Sequence, residues 1–492
     1  MSGDNHFEEI IDKMMMDEVC GLNEEFRKKI ETLDHRYMRL AILSLLDKDR
    51  KLFTSIKNIV KENKVTKVNH VKDVIKMLRE YVRVGEVEKK KYGEVMTPLE
   101  LVKDMIQTIP SDFWKNPNSK ILDPANGVGP FPIMVIYKLM MGLKEWEPDE
   151  EKRYKHIIEN MIYVCELQPK NMFIWMVAVD PEDIYGLNIF NGSFLSPEFD
   201  YHMKNIWGVE KFDLILGNPP YNDGSGNMGS SHTLWDKFVI KSFDILKKEQ
   251  YLVFVHPDGW RNLGNGFDKV KNLLKTKQML YLEIHDKGDG IKTFGASTTY
   301  DFYCVKNNDQ INFNTKIKCI DNTVENINIS KLNFIPNGMY DSFQKLIAKN
   351  GEETVNVVRS CTYHTQKNYI SKEKNDIFKY PCVYVTYKDG SIQFRYSSIN
   401  NKGHFGIPKV IWSNGISTPI VDMNGEYGMT EFSYAIFDDV ENLEKIKKAM
   451  LNPEFIKLMS FSDGMTGHRY NYKAISLFRK DFWKEFINEE NK

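Results

Sequence analysis

Between about Lys90 and Lys306, short apolar runs that end in small or acidic residues alternate with stretches of helical spacing. Continuous apolar runs are typical of parallel strands, because helices cover both faces of a parallel sheet. The five runs are 120–123, 162–166, 212–216, 251–255 and 300–305. We therefore expect an α/β fold built on a doubly wound, Rossmann-like sheet.

The regions before and after this pattern differ from it in composition. Roughly the first 85 residues are rich in lysine and carry apolar residues at helical spacing. Beyond about Asn307 the chain is polar and Asn-rich, with strand-like segments at 383–386 and 409–412 and a late helix at 442–459. A chain of 492 residues exceeds the usual size of one hydrophobic core. We therefore predict an N-terminal helical region (1–85), an α/β domain (86–310) and a C-terminal α+β domain (311–492).

The overall composition limits the possible protein classes. Hydrophobic residues make up 42% and charged residues 27% of the chain, which is ordinary for a globular protein and unlike a disordered or membrane protein. The chain shows no basic segment followed by an apolar leader, and no run of about 18 apolar residues. We therefore expect a cytoplasmic, intracellular location and no membrane partner. The formal net charge is −1, so any contact with a polyanion must be local.

The cysteines are scattered along the chain, without a C-x-x-C pair. This spacing argues against a zinc site and against a disulfide framework, and it favours free, mostly buried thiols. We therefore expect that the protein requires no metal. The cysteines are Cys20, Cys165, Cys304, Cys319, Cys361 and Cys382.

The most specific motif is Asn218-Pro219-Pro220-Tyr221, which follows the apolar run 212–216 and Gly217. Ligands of open α/β sheets bind beyond the carboxyl ends of strands, and the motif lies at such an end. Two consecutive prolines fix φ and lack N–H donors, so the turn presents carbonyl oxygens in a rigid frame. Together with the Asn218 amide, the turn offers two acceptors that converge on one point. This arrangement suits an amino group that donates two hydrogens.

The exocyclic nitrogen of adenine is such an amino group. Its lone pair is delocalised into the ring, and acceptors for both N–H hydrogens favour the pyramidal, nucleophilic geometry of the transition state. Tyr221 would stack on the base, since chemistry on a paired base requires that it be flipped out of the duplex. The alternative is a prolyl turn that only closes a strand. The position of the motif directly after a strand favours the catalytic interpretation.

A second motif, Asp123-Pro-Ala-Asn-Gly127-Val-Gly129, also follows a short strand. Gly127 and Gly129 would let the backbone approach a nucleotide-like ligand closely. The third glycine of the dinucleotide fingerprint is absent, which disfavours a nicotinamide cofactor. Glu166, at the end of the next strand, can accept both ribose hydroxyls of a nucleoside, as such carboxylates do in dinucleotide sites. The alternative for Glu166 is an ordinary carboxylate that faces the solvent.

The order of Thr97-Pro98, Asp123–Gly129, Glu166 and Asn218–Tyr221 resembles the gamma-class amino-methyltransferases of bacterial and viral restriction-modification systems, over about residues 93–305. The resemblance implies a methyltransferase domain, a C-terminal target-recognition domain and S-adenosylmethionine as the cofactor. Thr97 would contact the methionine part of the cofactor. The cofactor residues that the resemblance assigns are Thr97, Asp123, Gly127, Gly129, Glu166, Ser193 and Phe194.

Two further positions matter in this comparison with the family. Where the family often has Asp-Phe to hold the adenine of the cofactor, this chain has Ser193-Phe194, and serine is a weaker, uncharged partner for the adenine amine. Phe294 lies where the family has a second aromatic residue against the flipped base. The alternative for Phe294 is a residue of the hydrophobic core.

Three other functions are compatible with these motifs. Release-factor glutamine methyltransferases share Asn-Pro-Pro-Tyr, so a protein or RNA amide nitrogen is one alternative substrate, although those enzymes are small and have no use for a long polar C-terminal region. The second alternative is cytosine N4, which presents the same amine geometry, although Ser-Pro-Pro-Tyr is commoner in that class. The third is a DNA-binding relative without catalytic activity.

The sequence therefore predicts a site-specific DNA adenine-N6 methyltransferase. We expect double-stranded DNA as the partner and a monomeric protein, and a separate restriction endonuclease stays open as a second partner. Recognition of DNA is expected after about Asn307, in polar or aromatic residues of Gly-rich, loop-like stretches. The candidate base-reading residues are Lys402, His404, Asn414, His468, Arg469 and Tyr470.

Overall fold

The computed structural model describes residues 97–180, 184–223, 233–264, 266–309, 312–415, 417–462 and 470–487. The N-terminal helical region predicted for residues 1–85 lies outside these ranges. The described chain divides into two compact units. Unit 1 holds the residues up to Trp260 together with Gly264–Lys318 and Val324–Leu332, and unit 2 holds Arg261–Leu263, Cys319–Thr323 and the residues from Asn333 onward.

Unit 1 is an α/β structure. Its α-helices are α1 (Leu99–Gln107), α2 (Pro130–Gly142), α3 (Glu150–Asn160), α4 (Pro169–Val179), α5 (Pro197–Tyr201), α6 (Trp235–Ile245), α7 (Asp268–Thr276) and α8 (Lys287–Phe294). Its strands are β1 (Ile121–Asp123), β2 (Ile162–Glu166), β3 (Asn188–Asn191), β4 (Phe212–Gly217), β5 (Leu246–Pro257), β6 (Lys277–His285), β7 (Tyr300–Asp309), β8 (Thr315–Lys318) and β9 (Val324–Ile327). Short 3-10 helices lie at Ser111–Lys115 and Ile329–Lys331, and a π-helical turn lies at His202–Ile206.

The strands of unit 1 form one sheet in the order β3-β2-β1-β4-β5-β7-β6-β8-β9. The strands β3, β2, β1, β4 and β5 run parallel to one another, and β7 is antiparallel to both β5 and β6. Because β1 to β4 are parallel, their carboxyl ends lie at one edge of the sheet, and these ends are Asp123, Glu166, Asn191 and Gly217. Ligand sites of parallel α/β sheets lie at such an edge.

Burial explains why the central strands could be predicted. Every residue of β1, β2 and β4 is buried, as expected for strands that are covered on both faces. Leu101, Val102, Met105 and Ile106 of α1 are buried in the same core, at positions that share one face of the helix. The strands β3 and β6 were not predicted; β3 has only two apolar residues between asparagines.

The predicted boundary after residue 310 falls before β8 and β9, which pair with β6 and with each other and lie in unit 1. The late helix predicted over 442–459 consists of two helices, Val440–Leu451 and Pro453–Ser460. Asn452 separates them with an extended backbone and accepts a hydrogen bond from the N–H of Glu454. Pro453 cannot continue the first helix, since it lacks an N–H and restricts the residue before it.

Unit 2 contains two small sheets and a group of helices. Its helices are α9 (Tyr340–Leu346), α10 (Val440–Leu451), α11 (Pro453–Ser460) and α12 (Tyr472–Ile475), with a 3-10 helix at Phe482–Phe486. Its strands are β10 (Val357–Arg359), β11 (Ile370–Ser371), β12 (Tyr380–Thr386), β13 (Ile392–Ser397), β14 (Lys409–Ser413), β15 (Ile420–Asp422), β16 (Gly428–Met429) and β17 (Ser433–Phe437). The sheet orders are β10-β17-β14-β15 and β11-β13-β12-β16.

A buried ion pair joins two strands of unit 2. Lys409 of β14 lies opposite Asp422 of β15, and its Nζ lies 2.7 Å from a carboxylate oxygen of Asp422, with both side chains almost fully buried. The same Nζ donates to the carbonyl oxygens of His404 and Ile407. A slip by one residue would leave both charges unpaired, so the pair specifies the register of these strands.

Among the residues that the structure describes, no helix is both long and apolar enough to cross a membrane.

Candidate active site

A cavity of about 180 Å³ lies in unit 1, at the carboxyl ends of β1, β2, β3 and β4. Most of the predicted site residues line this cavity, although they are far apart in the sequence. The predicted residues that line it are Gly127, Glu166, Ser193, Phe194, Asn218, Pro219, Pro220 and Tyr221. The structure therefore brings both sequence motifs to one place.

Asn218 occupies the start of the turn that follows β4. Its side-chain Nδ2 donates a hydrogen bond to the Thr97 hydroxyl, with an N···O distance of 3.1 Å. Its Oδ1 is buried and accepts no hydrogen bond from the described residues. A buried amide oxygen without a partner is costly, and a water molecule, a ligand or a substrate at the cavity can supply the missing donor. The side chain thus presents one free acceptor at the cavity.

The position of this turn depends on Gly217. Its φ of 157° is close to an extended conformation, but a Cβ atom there would lie 2.9 Å from Asp123 Oδ1. Glycine therefore permits the end of β4 to approach the end of β1. After the two prolines, the carbonyl oxygen of Tyr221 accepts a hydrogen bond from the N–H of Leu234, just before α6 begins.

The rings of Tyr221 and Phe294 contact each other. Their ring centroids are 6.4 Å apart with an interplanar angle of 84°, which is an edge-to-face contact. Phe294 also contacts Tyr300 edge-to-face, at 4.9 Å. The hydroxyl of Tyr221 is buried without a hydrogen-bond partner in the described part of the chain, and burial raises its pKa above the ordinary value. Phe294 is not among the residues that line the cavity.

The glycine turn after β1 is held by hydrogen bonds and by close packing. Gly127 has a φ of 55° and open space where a Cβ would be, so its backbone is accessible from the cavity. Gly129 has a φ of 93°, and a Cβ there would overlap with the ring of Trp175. Gly127 is therefore required for its backbone conformation. Gly129 is required both for its backbone conformation and for its close packing against Trp175.

Asp123 stabilises the glycine turn through a hydrogen bond within the protein. One of its carboxylate oxygens accepts a hydrogen bond from the N–H of Ala125 at 3.0 Å, and the other is buried without a partner in the described residues. Burial, with a further contribution from the nearby Glu166 carboxylate, raises the pKa of Asp123 well above its usual range. Asp123 does not line the cavity, so its observed contacts are within the protein.

Glu166 joins the glycine turn to the end of β2. One carboxylate oxygen accepts from the N–H of Gly127 at 2.7 Å, and the other accepts from the N–H of Gln168 at 2.7 Å. The side chain is 7% exposed and lines the cavity, so it is not an ordinary carboxylate that faces the solvent. Each carboxylate oxygen can accept more than one hydrogen bond, and the group keeps capacity for a ligand.

Ser193 and Phe194 follow β3. The Ser193 hydroxyl accepts a hydrogen bond from the N–H of Leu195 at 3.3 Å. Phe194 is 1% exposed, and its ring packs on Phe199 at 4.9 Å and on Phe238 at 5.0 Å. Phe194 thus forms a wall of the cavity whose position is set by neighbouring aromatic rings.

Nine residues line the cavity that sequence reasoning did not name as site residues, and they include Asn171, Leu234 and Phe238. Asn171 is buried and lies in the first turn of α4, five residues after Glu166. That position after a strand-end carboxylate is the only sequence signal that could have identified it. Phe238 lies one turn into α6.

Two of the predicted base-reading residues are buried within unit 2, which contradicts that role for them. The His404 ring accepts a hydrogen bond from the N–H of Met429, and burial and the Lys409 charge lower its pKa to about 4. The Tyr470 hydroxyl donates to the carbonyl oxygen of Met450 at 2.9 Å. Lys402 is exposed and Asn414 is half-buried, whereas His468 and Arg469 lie outside the described residues.

Comparisons with known proteins show what this chain is similar to. Residues 137–291 match the model of the Eco57I restriction-modification methylase family. An uncharacterized adenine-specific methylase from Mycoplasma pneumoniae is 26% identical over 251 residues, which cover 37% of this chain and 59% of that protein. Modification methylase CviBIII from Paramecium bursaria Chlorella virus NC1A is 26% identical over 214 residues, which cover 41% of this chain and 47% of that protein.

The chain thus spans about half the length of the curated relatives that it matches. The resemblance to restriction-modification methyltransferases that the motifs predicted is confirmed. The family match includes Glu166 and Asn218–Tyr221, whereas Thr97 and the glycine turn precede it.

Two solved structures have a similar fold. The type IIL restriction-modification enzyme MmeI in complex with DNA is 12% identical, with a TM-score of 0.52, and the alignment covers 82% of this chain and 69% of that chain. A nuclease-deletion mutant of the type ISP enzyme LlaGI is 12% identical, with a TM-score of 0.50, and the alignment covers 87% of this chain and 49% of that chain. At these identities the likeness shows the fold alone, and it confirms the predicted fold class.

Proposed function

We propose that this chain is a site-specific DNA adenine-N6 methyltransferase, which transfers a methyl group from S-adenosylmethionine to the exocyclic amine of a flipped adenine. The observation that carries the proposal is the buried Oδ1 of Asn218, which has no partner in the described part of the chain and lies at a cavity that Gly127 of the glycine turn also lines. The names of the relatives, an adenine-specific methylase and a modification methylase, support it.

The residues at the cavity fit the cofactor in chemistry. Gly127 offers accessible backbone, the Glu166 carboxylate suits ribose hydroxyls, and the Phe194 wall suits an adenine ring. The proposed cofactor half of the site also contains Ser193. Asp123 and Gly129 belong to it because they hold the glycine turn in place. S-adenosylmethionine supplies, when bound, a methyl group on a positively charged sulfonium centre.

Asn218 and the Pro219 carbonyl oxygen would accept the two hydrogens of the adenine amine. Both acceptors are held by a rigid turn, so they cost little reorganisation in the transition state. Held in this way, the amine would direct its lone pair at the methyl group that the cofactor supplies, and the methylated amine would lose one proton to the solvent. Tyr221, supported by Pro220 and by the edge of Phe294, would stack on the flipped base.

No side chain at Asn218–Tyr221 is a nucleophile of the cysteine type, and a positioned amine beside a sulfonium group needs none. We therefore propose direct transfer without a covalent enzyme intermediate. Double-stranded DNA is the proposed partner, read by residues of the C-terminal region. We further propose that the protein is a monomer, and a separate restriction endonuclease stays open as a second partner.

A transfer assay with radiolabelled S-adenosylmethionine tests the proposed function. The purified chain should label duplex DNA, and digestion to nucleosides should yield labelled N6-methyl-2′-deoxyadenosine. Label in N4-methyl-2′-deoxycytidine would mean that the same site methylates cytosine instead. Label in protein or RNA with none in DNA would favour the amide-nitrogen alternative, and binding to duplex DNA without any transfer would indicate an inactive relative.

A further inference from the structure

We propose that Thr97 is a positioning residue for Asn218: its hydroxyl accepts the Asn218 amide N–H and thereby keeps Oδ1 directed at the target amine. This inference rests on the proposed function. It differs from the role that the resemblance implies, in which Thr97 contacts the methionine part of the cofactor. Thr97 is not among the residues that line the cavity, whereas Asn218 is.

The contact joins two distant parts of the sequence. Asn218 Nδ2 lies 3.1 Å from Thr97 Oγ1, across 121 positions of the chain. Thr97 is 4% exposed, so water cannot readily replace it as the partner of the amide. A hydroxyl has two lone pairs and one hydrogen, and it can therefore accept this N–H while its own hydrogen points elsewhere.

The place of the Thr97 hydroxyl is set by the packing of α1. Thr97 and Pro98 immediately precede this helix, and the carbonyl oxygen of Pro98 accepts a hydrogen bond from the N–H of Val102 at 3.1 Å. Val102 is fully buried and Met105 lies one turn further along the same buried face. The acceptor for Asn218 is thus held by a helix that belongs to the core of unit 1.

The orientation of the amide decides what it can do. The last torsion of an asparagine side chain is broad and roughly two-fold, so the oxygen and the nitrogen can exchange places by a rotation of 180°. In the observed orientation the NH₂ group points to Thr97 and the oxygen is the acceptor without a partner. In the reversed orientation the NH₂ group would face a target amine that also donates hydrogens, and the acceptor would be lost.

Thr97→Val tests the inference, since valine has the same shape but no acceptor. We expect the single-turnover rate at saturating cofactor and DNA to fall roughly tenfold to a hundredfold, somewhat less than the loss of the acceptor itself. Cofactor affinity, measured by calorimetry, should stay within about threefold because the lost group contacts Asn218 and not the cofactor. Thr97→Ser, which retains the hydroxyl, should restore most of the rate.

Thr108→Val is the matched control. Thr108 lies at the other end of α1, where its hydroxyl donates to the carbonyl oxygen of Met105 at 2.6 Å. This variant also removes a threonine hydroxyl, but it should leave the transfer rate unchanged. A Thr97→Val variant with a wild-type saturated rate overturns the inference. If its cofactor affinity is also weakened, Thr97 is a cofactor ligand instead.

A second measurement is independent of catalysis. Thermal unfolding of Thr97→Val, Asn218→Ala and the double variant forms a cycle that detects the contact itself. The double variant should unfold at about the temperature of the less stable single variant. Additive effects would overturn the contact. If the wild type methylates no adenine while the cycle is non-additive, the proposed function fails and the contact between the two side chains stands.

Discussion

The two halves of the cavity differ in how their polar groups are satisfied. On the proposed cofactor side, both oxygens of Glu166 accept backbone N–H groups, and the Ser193 hydroxyl accepts one as well. On the proposed target side, the Asn218 oxygen and the Tyr221 hydroxyl are buried without partners in the described residues. Among the groups that line the cavity, the Glu166 and Ser193 oxygens of the cofactor side are thus already hydrogen-bonded, whereas the target side keeps unused hydrogen-bonding capacity. The Asp123 oxygen that has no partner in the described residues is not part of the cavity lining.

This difference indicates where substrate contacts contribute most. A buried polar group without a partner costs about 1–3 kcal/mol. Such a cost is offset where the group gains a partner in a functional complex. Preorganised acceptors lower the barrier only if they interact more strongly with the transition state than with the ground state. The comparison therefore predicts that loss of the Asn218 acceptor lowers the rate of transfer, that loss of the Tyr221 ring weakens retention of the target base, and that changes on the cofactor side weaken cofactor binding.

The largest expected effect is that of Asn218→Ala. Loss of one preorganised partner typically lowers the rate by about a hundredfold or more, so single-turnover methylation of a duplex should fall at least that much. Cofactor affinity by calorimetry should be unchanged, because Asn218 is absent from the hydrogen bonds of the glycine turn. Asn118→Ala, on an exposed loop, is the control.

A near-normal rate for Asn218→Ala would remove the catalytic assignment and, with it, the proposed reaction. A parallel loss of cofactor affinity would instead show that the two halves of the cavity do not act separately.

The second effect concerns Tyr221. Stacking of a base on an aromatic ring contributes about 1–3 kcal/mol, so Tyr221→Ala should raise the KM for duplex DNA roughly five- to a hundredfold. Tyr221→Phe should stay close to the wild type, because the hydroxyl has no partner to lose among the described residues. Fluorescence of 2-aminopurine at the target position would report whether the base remains flipped. Equal signals for Tyr221→Ala and the wild type would refute the stacking role.

Sequence patterns could predict that several of these residues lie close together, because they end parallel strands. Asp123, Glu166 and Gly217 follow continuous apolar runs, and parallel strand ends must meet at one edge. The strand Asn188–Asn191 has only two apolar residues between asparagines, so no period or run identified it. This strand is defined by its pairing with β2, and such a tertiary contact cannot be read from the local sequence.

The contacts between side chains were beyond sequence reasoning for the same reason. The resemblance assigned Thr97 to the cofactor, but the structure pairs its hydroxyl with Asn218, and no local pattern connects these two positions. His404 and Tyr470 were chosen for polarity and for Gly-rich surroundings, yet both have hydrogen-bond partners inside unit 2. Residue type alone does not distinguish a polar side chain that serves the core from one that meets a ligand.

On the cofactor side, Glu166→Gln should weaken binding of S-adenosylmethionine by roughly tenfold, which corresponds to about 1.4 kcal/mol. The amide retains one oxygen for the N–H of Gly127 or for that of Gln168, but its NH₂ group repels the other donor. The saturated transfer rate should change much less than the affinity. Glu151→Gln, an exposed position in α3, is the matched control. Unchanged affinity would take Glu166 out of the cofactor site.

The smallest expected effect is a gain, and it comes from the position where the chain departs from the family pattern. Ser193 lines the cavity next to Phe194, in the place where the resemblance puts an aspartate for the adenine amine of the cofactor. An aspartate can replace the serine as acceptor for the N–H of Leu195, since both residue types make such local hydrogen bonds. Hydrogen bonds to charged groups are roughly twice as strong as neutral ones.

Ser193→Asp should therefore tighten the affinity for S-adenosylmethionine by about three- to tenfold, which is about 1 kcal/mol. Ser193→Asn supplies an acceptor of the same shape without the charge, so it separates the charge from the geometry and should give a smaller gain. Lys241, whose Nζ lies 5.2 Å from the Phe194 ring centroid, is already paired with Asp200 at 2.8 Å, so it does not neutralise the new carboxylate completely. Calorimetry on the three proteins at equal ionic strength measures the difference. A loss of affinity in Ser193→Asp, with normal thermal stability, would mean that the cofactor's adenine amine does not reach this position and that the resemblance fails at Ser193.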